Sequence, residues 1–391
     1  MMKDIANSVL SLRLSKTIFL LIFFILASIS IYIGILQALE FSKDFPWSPT
    51  KLFLNGQNPY DVYLSGNLNN QIIYTQFPTY SHSTYIILSP LAMLDFQNAK
   101  IVWAIINIFI GISIPILLNK QLNLKTETLI IVILMFLAAT PFRNSLANGN
   151  VSLLVLLALT FSLFSLKNFN LLSGLAFIKY SFVPPFLFSF LIQRRIKDLI
   201  MILIIPLFSF LVFILLMDGN PLKILVQPLI VASQVIGIES IGIMSITKLI
   251  VVNLDGSFDL EGFYSLIIYS LLPILFCFFI VLSTHRIFKD ELFIFSSLCI
   301  ASLISFTHLY HDFILYLPAL MIAISHLKNI FSRILIFLIM TNWYGLTVIR
   351  LFGYIPDYTN VEFRFAFLVI NLIVGLSVLL CLHKIYKQER T

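Results

Sequence analysis

A few polar residues stand at the edges of long apolar runs, and their types limit the chemistry open to this chain. Asp44, in "SKDFPWSPTK", places a carboxylate just beyond the first apolar run. "NGQNPYDVY" carries Tyr60 and Asp61, "FRNSLANGN" carries Arg143, Asn148 and Asn150, and "GLAFIKYSFVPP" carries Lys179. Glu239 interrupts another apolar stretch, and "THLYHD" carries His308, His311 and Asp312. A carboxylate can take a proton. Lysine and arginine neutralise an anion, arginine with a two-pronged fork, and amides hydrogen-bond hydroxyl groups. A His-x-x-His pair beside an Asp could hold a metal, but no further ligands cluster there, so none is expected. Each residue also has a plainer use. Asp44 could open a surface helix, Lys179 could snorkel to the interface, and Asn58-Pro59-Tyr60-Asp61 could be a loop elbow whose proline fixes the turn.

The elements that must position these residues follow from composition. With 59% hydrophobic and 11% charged residues over 391 positions, the chain has more apolar surface than one soluble core can bury, so lipid must be its solvent. An all-α polytopic membrane protein is expected. Uncharged apolar runs lie at 17–39, 101–118, 128–142, 151–166, 199–217, 263–283, 292–307, 313–325, 334–349 and 365–382. In 171–193, Lys179 and Pro184-Pro185 fall mid-span. A lysine at the bilayer centre costs roughly 2.5–3.5 kcal/mol, so two short helices meeting at the water interface are expected. The total is about twelve crossings.

Cation placement sets the orientation. With the N-terminus cytoplasmic, sixteen of the twenty-five Lys and Arg fall on the cytoplasmic side, from Lys3 to Arg390. Both termini are then cytoplasmic. The first run, 23 residues long, exceeds the apolar core of a signal peptide and reads as an uncleaved anchor. Residues 83–94 are too few to span and should lie along the surface, making 40–98 one large outer loop. A second outer loop is 218–262. No internal repeat or soluble domain is visible, so residues 1–391 form one integrated unit. The net charge of +7 is spread through short loops rather than gathered in a stripe, which excludes nucleic acid as a partner. Cys277, Cys299 and Cys381 all sit in apolar runs and show no disulfide or zinc spacing.

This topology gathers the polar residues of the first paragraph at one face, the outer one. Their segments, "DFPWSPTKLFLNGQNPYDVY", "YTQFPTYSHSTYIILSPLAMLDFQNAKIVWAIIN", "RNSLANGNVSLLVLLAL", "LSGLAFIKYSFVPPFLFSFLIQRR" and "FTHLYHDFILYLPAL", resemble in order the polyprenol-phosphate-mannose-dependent glycosyltransferases of family 87, over about residues 44–320. The resemblance implies a GT-C-like helical bundle. It also implies transfer of a hexose, most often mannose, from a polyprenyl-phosphate donor to a glycan or glycolipid acceptor on the non-cytoplasmic side of the cell membrane, without a cofactor. It makes Asp44 the base of an inverting displacement. Lys179, Arg143 and His311 are then expected at the donor phosphate. Asn148, Asn150, His308, Tyr60, Asp61 and Glu239 are expected at the substrates. The family's Gly-Gln-Val-Asn reads Gly149-Asn150-Val151-Ser152 here.

Two other classes share this outline. An envelope glycan polymerase or ligase would use a lipid-diphosphate donor and call for outer-loop arginines, of which Arg143 alone lies near the candidate residues. A transporter or flippase would place ions at the midplane or show inverted repeats, and neither is seen.

Overall fold

The computed structural model describes residues 2–66, 72–74, 76–164, 169–235, 242–245, 247, 263–352 and 361–390. Their regular structure is helical throughout. The long first helix, α1 (Met2–Glu40), leads into a segment of four short helices, α2 (Trp47–Leu54), α3 (Pro59–Leu64), α4 (His82–Ile87) and α5 (Ser89–Ala92). There follow α6 (Phe96–Leu122), α7 (Thr126–Ala138), α8 (Thr140–Asn148), α9 (Ser152–Thr160) and α10 (Phe169–Ser173). A 3-10 segment, Gly174–Phe182, precedes α11 (Pro184–Ile192), α12 (Ile196–Met217) and α13 (Pro221–Val235). The last part comprises α14 (Phe263–Ile287), α15 (Glu291–Ser305), a 3-10 segment Tyr310–Tyr316, α16 (Leu317–Ser325), α17 (Ile330–Leu351) and α18 (Val361–Arg390).

Among the described residues five helical stretches are long and apolar enough to cross a membrane: Thr17–Glu40, Phe96–Leu122, Ile196–Met217, Ser270–Ile287 and Phe365–Arg390. Two bent pairs raise the number to seven, α7 with α8 at 56° and Leu171–Phe182 with α11 at 119°. The second bend falls where Lys179 and the two prolines predicted a break. The expected run 128–142 likewise bends at Ala139, whose extended backbone separates α7 from α8.

Helix α15 lies in the core, with every residue from Leu292 to Ser305 buried. A helix apolar on all sides is satisfied only when surrounded; α14, α18 and the segment Tyr310–Tyr316 pack around it. Helix α1 packs along α7 and α8, and α6 approaches α8 closely. A Cβ on Gly111 of α6 would meet the Phe142 ring of α8 at 2.4 Å, so the contact depends on a residue without a side chain.

The four short helices form a lid of chain packed onto the bundle by aromatic residues. Phe53, Tyr60, Tyr85, Phe213, Ile224 and Val231 make a second buried cluster that joins α2–α4 to α12 and α13. His82 completes it, donating from Nε2 to the carbonyl of Ile224 at 3.0 Å and packing edge-on to Phe213. Burial lowers the His82 pKa to about 4. Trp47, its ring tilted against Phe96 at 5.2 Å between centroids, donates to the Leu94 carbonyl.

Candidate active site

Asp44 sits in the turn after α1, and its backbone is tied down from three sides. Lys100 of α6 donates to the Leu39 carbonyl at the end of α1, one of the carbonyls a helix end leaves unpaired. The Asp44 amide donates to the Asn148 carbonyl at 2.8 Å. Gln76 accepts from both the amide and the hydroxyl of Ser48 and donates to the Ser42 carbonyl. Beneath the turn Phe45 stacks on Trp103, ring centroids 5.7 Å apart, and the Trp103 indole donates to the Gly149 carbonyl at 2.7 Å.

Gly149 makes this junction possible. It ends α8 in a Schellman motif, its own amide bonding to Leu146 and the Asn150 amide to Ser145. The motif needs the left-handed backbone that Gly149 adopts at φ +67°. The missing Cβ also lets the Asp44 turn approach, since that atom would lie 2.8 Å from the Cβ of Phe45. The chain then enters α9 with Asn150 accepting from the Ser152 amide at 2.8 Å.

Lys179 lies at a break in the chain. Its backbone, at φ −120° and ψ 86°, is non-helical, and the break frees the Ile178 carbonyl to accept from the Ser81 amide and the Thr84 hydroxyl. The side chain passes over the Phe182 ring and places its ammonium 2.6 and 2.7 Å from the two carboxylate oxygens of Asp312. Nζ also reaches Ser152 Oγ at 3.1 Å and His311 Nε2 at 3.4 Å.

Asp312 is the hub. Its carboxylate is wholly buried and surrounded by donors: Lys179, Ser152 Oγ at 2.5 Å, His308 Nδ1 at 3.0 Å and the Leu309 amide at 3.1 Å. The segment that carries it is held by Ser145, which donates to the His311 carbonyl, and by Trp343 of α17, which donates to the Phe313 carbonyl. His311 Nε2 lies 3.4 Å from the Lys179 ammonium and 3.5 Å from Asp312 Oδ1; as an ammonium only donates, we assign Nε2 as the acceptor and the imidazole proton to Nδ1. That atom faces Asp44 Oδ2 at 3.9 Å. His308 is pushed below the ordinary imidazole pKa by burial, against the pull of the Asp312 carboxylate it donates to. Tyr80 links the two halves, its hydroxyl donating to the Asp44 carbonyl and accepting from Asn150 Nδ2, each at 3.3 Å. Burial, aided by the Asp44 and Asp312 charges, holds the Tyr80 phenol well above its ordinary pKa.

Of the residues singled out from sequence, Asp44, Asn150, Lys179, His308 and His311 therefore meet in one network. Asn148 joins it through its backbone carbonyl alone. Tyr60 is buried one step away, its hydroxyl donating to the Tyr80 carbonyl. Asp61 is turned elsewhere, to Lys223 and Gln227, with Asn58 capping α3 as an elbow would. The Arg143 guanidinium bonds Thr347 of α17 at 3.3 Å. Glu239 lies outside the described residues. Tyr80, Ser152 and the anchoring part played by Asp312 were not foreseen. The sequence offered signals for two of them, the Asn-x-Ser turn after a glycine for Ser152 and a lone carboxylate entering an apolar run for Asp312.

Two carboxylates thus share the network in opposite states. Asp312 is sealed and saturated, whereas the Asp44 side chain is 27% exposed and can be reached from outside. Such an arrangement can bind an anion beside a carboxylate free to take a proton. No similar protein was found among the curated proteins or the solved structures. The family model of glycosyltransferase family 87 matches residues 79–309, more than half of the chain, a span that holds Asn150, Lys179 and His308 and stops short of Asp44, His311 and Asp312. On that match the chain is a multi-pass membrane glycosyltransferase and belongs to glycosyltransferase family 87.

Proposed function

We propose that the enzyme moves a hexose, mannose in the first instance, from a polyprenyl-phosphate donor to a glycan or glycolipid acceptor on the non-cytoplasmic side of the cell membrane. The observation that carries this reading is the partly exposed Asp44 carboxylate beside the cluster of half-buried Lys179 with buried Asp312 and His311. Asp44 takes the proton of the acceptor hydroxyl. The acceptor oxygen attacks the anomeric carbon as the bond to the phosphate oxygen breaks, and the polyprenyl phosphate leaves with the bonding electrons. With no second accessible carboxylate in the network to form a glycosyl intermediate, the displacement is direct and inverts the anomeric centre. Lys179 and the Nδ1–H of His311 are placed to meet the charge that gathers on the phosphate, and Asn150 and Tyr80 offer hydroxyl-binding groups nearby.

The five long helices, the bent pair α7–α8, the pair Leu171–Phe182 and α11 taken as two short helices, and the shorter apolar helices Ser152–Leu163, Glu291–Ser305, Tyr310–Ser325 and Ile330–Gly345 support a GT-C-like bundle of about twelve crossings, with 218–262 as the second outer loop. In it the segment with α2–α5 is the large outer loop and both termini are cytoplasmic, and residues 1–391 act as a single unit. The test is transfer of label from polyprenyl-phosphate sugars to candidate acceptors in membranes carrying the wild type, Asp44→Asn or Lys179→Ala. Undiminished transfer by Asp44→Asn would remove Asp44 as base.

A further inference from the structure

A buried carboxylate is an odd companion for a site that must receive an anion. The three ammonium protons of Lys179 already face four acceptors, Asp312 Oδ1 and Oδ2, Ser152 Oγ and His311 Nε2. Its charge is cancelled by Asp312 at 2.6 Å. His311 is held neutral chiefly by burial, and the charged or titratable groups that face it are Asp312, Lys179, Asp44 and His308. With His308 also neutral, this network sums to one negative charge, that of Asp44. Arg143, the cation that a diphosphate would call for, is engaged with Thr347.

We infer that Asp312 is a specificity-determining residue: by cancelling Lys179 it sets the site to accept a donor with one phosphate and to reject the same donor with two. The inference rests on the lipid-phosphate donor proposed above. A sugar phosphodiester brings one negative charge and a sugar diphosphodiester two. The first can share the Lys179 protons with Asp312 and gain the Nδ1–H of His311. The second phosphate would meet Asp44 and Asp312 with no further cation among the described members of this network to offset it, and like charges at this range in a partly desolvated site are costly. Asp312 acts on the ligand through Lys179, as a positioning residue whose charge sets the preference.

The test uses the full chain in lipid nanodiscs and two probes, farnesyl phosphomannose and farnesyl diphosphomannose, which differ by one charge. The quantity read is the ratio of their dissociation constants. The wild type should favour the monophosphate by about tenfold or more. Asp312→Asn, isosteric and uncharged, frees one positive charge and should cut that ratio about tenfold, chiefly by tightening the diphosphate. Lys179→Met should raise the ratio. Lys179→Met with Asp312→Asn restores the charge sum and should return the ratio to near the wild-type value, even where both ligands bind more weakly. A purely structural Asp312 would weaken both probes alike and leave the ratio unmoved in every variant, and that result overturns the inference. If Asp312→Asn does not fold, comparing Lys179→Met with the double variant decides the matter in the same way. A wild type that binds neither probe overturns the donor reading and this inference with it, whereas a wild type that binds the monophosphate with an unmoved ratio in the variants sinks the inference alone.

Discussion

Replacing Lys179 by methionine leaves Asp312 fully buried with neutral donors only: Ser152, His308 and the Leu309 amide. Breaking a buried ion pair on one side costs about 3–5 kcal/mol, because the remaining charge is uncompensated. Replacing both partners by uncharged groups of similar volume is close to neutral. At roughly 2 °C per kcal/mol, the low end of the range for domains of about 150–250 residues and an upper figure for a longer chain, the single change should lower the unfolding midpoint by at most about 6–10 °C. Adding Asp312→Asn should recover most of that loss. Protonation supplies a second axis. Without its partner, desolvation raises the folded-state pKa of Asp312 above its unfolded value, so the folded state binds the proton more tightly and the deficit of Lys179→Met should shrink as the pH falls. The assay is thermal unfolding in detergent of the wild type, the single and the double variant between pH 5 and 8. A single variant as stable as the double at pH 7.5, or a deficit that grows toward pH 5, would refute the reasoning.

Asp44→Asn should lower transfer by about 10²–10⁴-fold, the usual worth of a general base, while donor binding, measured by displacement of a fluorescent polyprenyl phosphate, is retained; loss of binding instead would assign Asp44 to the donor. Gly149→Ala should cost about 1–2 kcal/mol for its left-handed backbone and depress transfer by pushing Phe45, and the Asp44 turn with it, away from the end of α8. Gly56→Ala, at φ +75° with nothing within 4 Å, should pay the backbone cost while transfer is unchanged, and equal transfer in the two variants would show that the Gly149 contact does not position Asp44. His82 loses stabilising power on acidification: its folded pKa of about 4 lies below the unfolded value, so its contribution is complete above about pH 6.5 and drains by about 1.4 kcal/mol per pH unit on the way to pH 4. Limited proteolysis of the segment with α2–α4 should therefore quicken below pH 6 in the wild type and stay flat in His82→Phe.

How far the sequence could be read differs from element to element, for physical reasons. Runs 199–217, 334–349 and 365–382 return as parts of α12, α17 and α18, because hydropathy over a long run reports directly on what must leave water. The break at Lys179 was legible because a lysine and two prolines together disfavour a straight span, and the angle there is 119°. The bend between α7 and α8 had its mark in Pro141, which lacks an N–H and disfavours helical backbone before it, but 128–142 reads as one apolar run; beyond the bend Arg143 reaches Thr347. Lys179 was expected as an open cation, yet it is neutralised. Its partner stands 133 residues away, and pairing at that distance is set by how non-helical backbone at two places happens to meet. The hydrogen bonds of Tyr80 and Ser152 are hidden for the same reason, whereas the Asn58 elbow, which depends on neighbours three residues apart, was readable.

The same separation between Lys179 and Asp312 governs when the enzyme can exist at all. At 5–20 residues per second of synthesis, the 133 residues between the partners take roughly 7–27 s to emerge. During that interval the lysine lacks Asp312, and its long stem can carry the charge to the nearest water. The segment Leu171–Ile192 is therefore expected to rest as an interfacial hairpin until Asp312 has been made, and to join the bundle only then. A chain halted before residue 312 lacks the Lys179–Asp312 ion pair, and should therefore lack the proposed anion site and leave the hairpin at the interface.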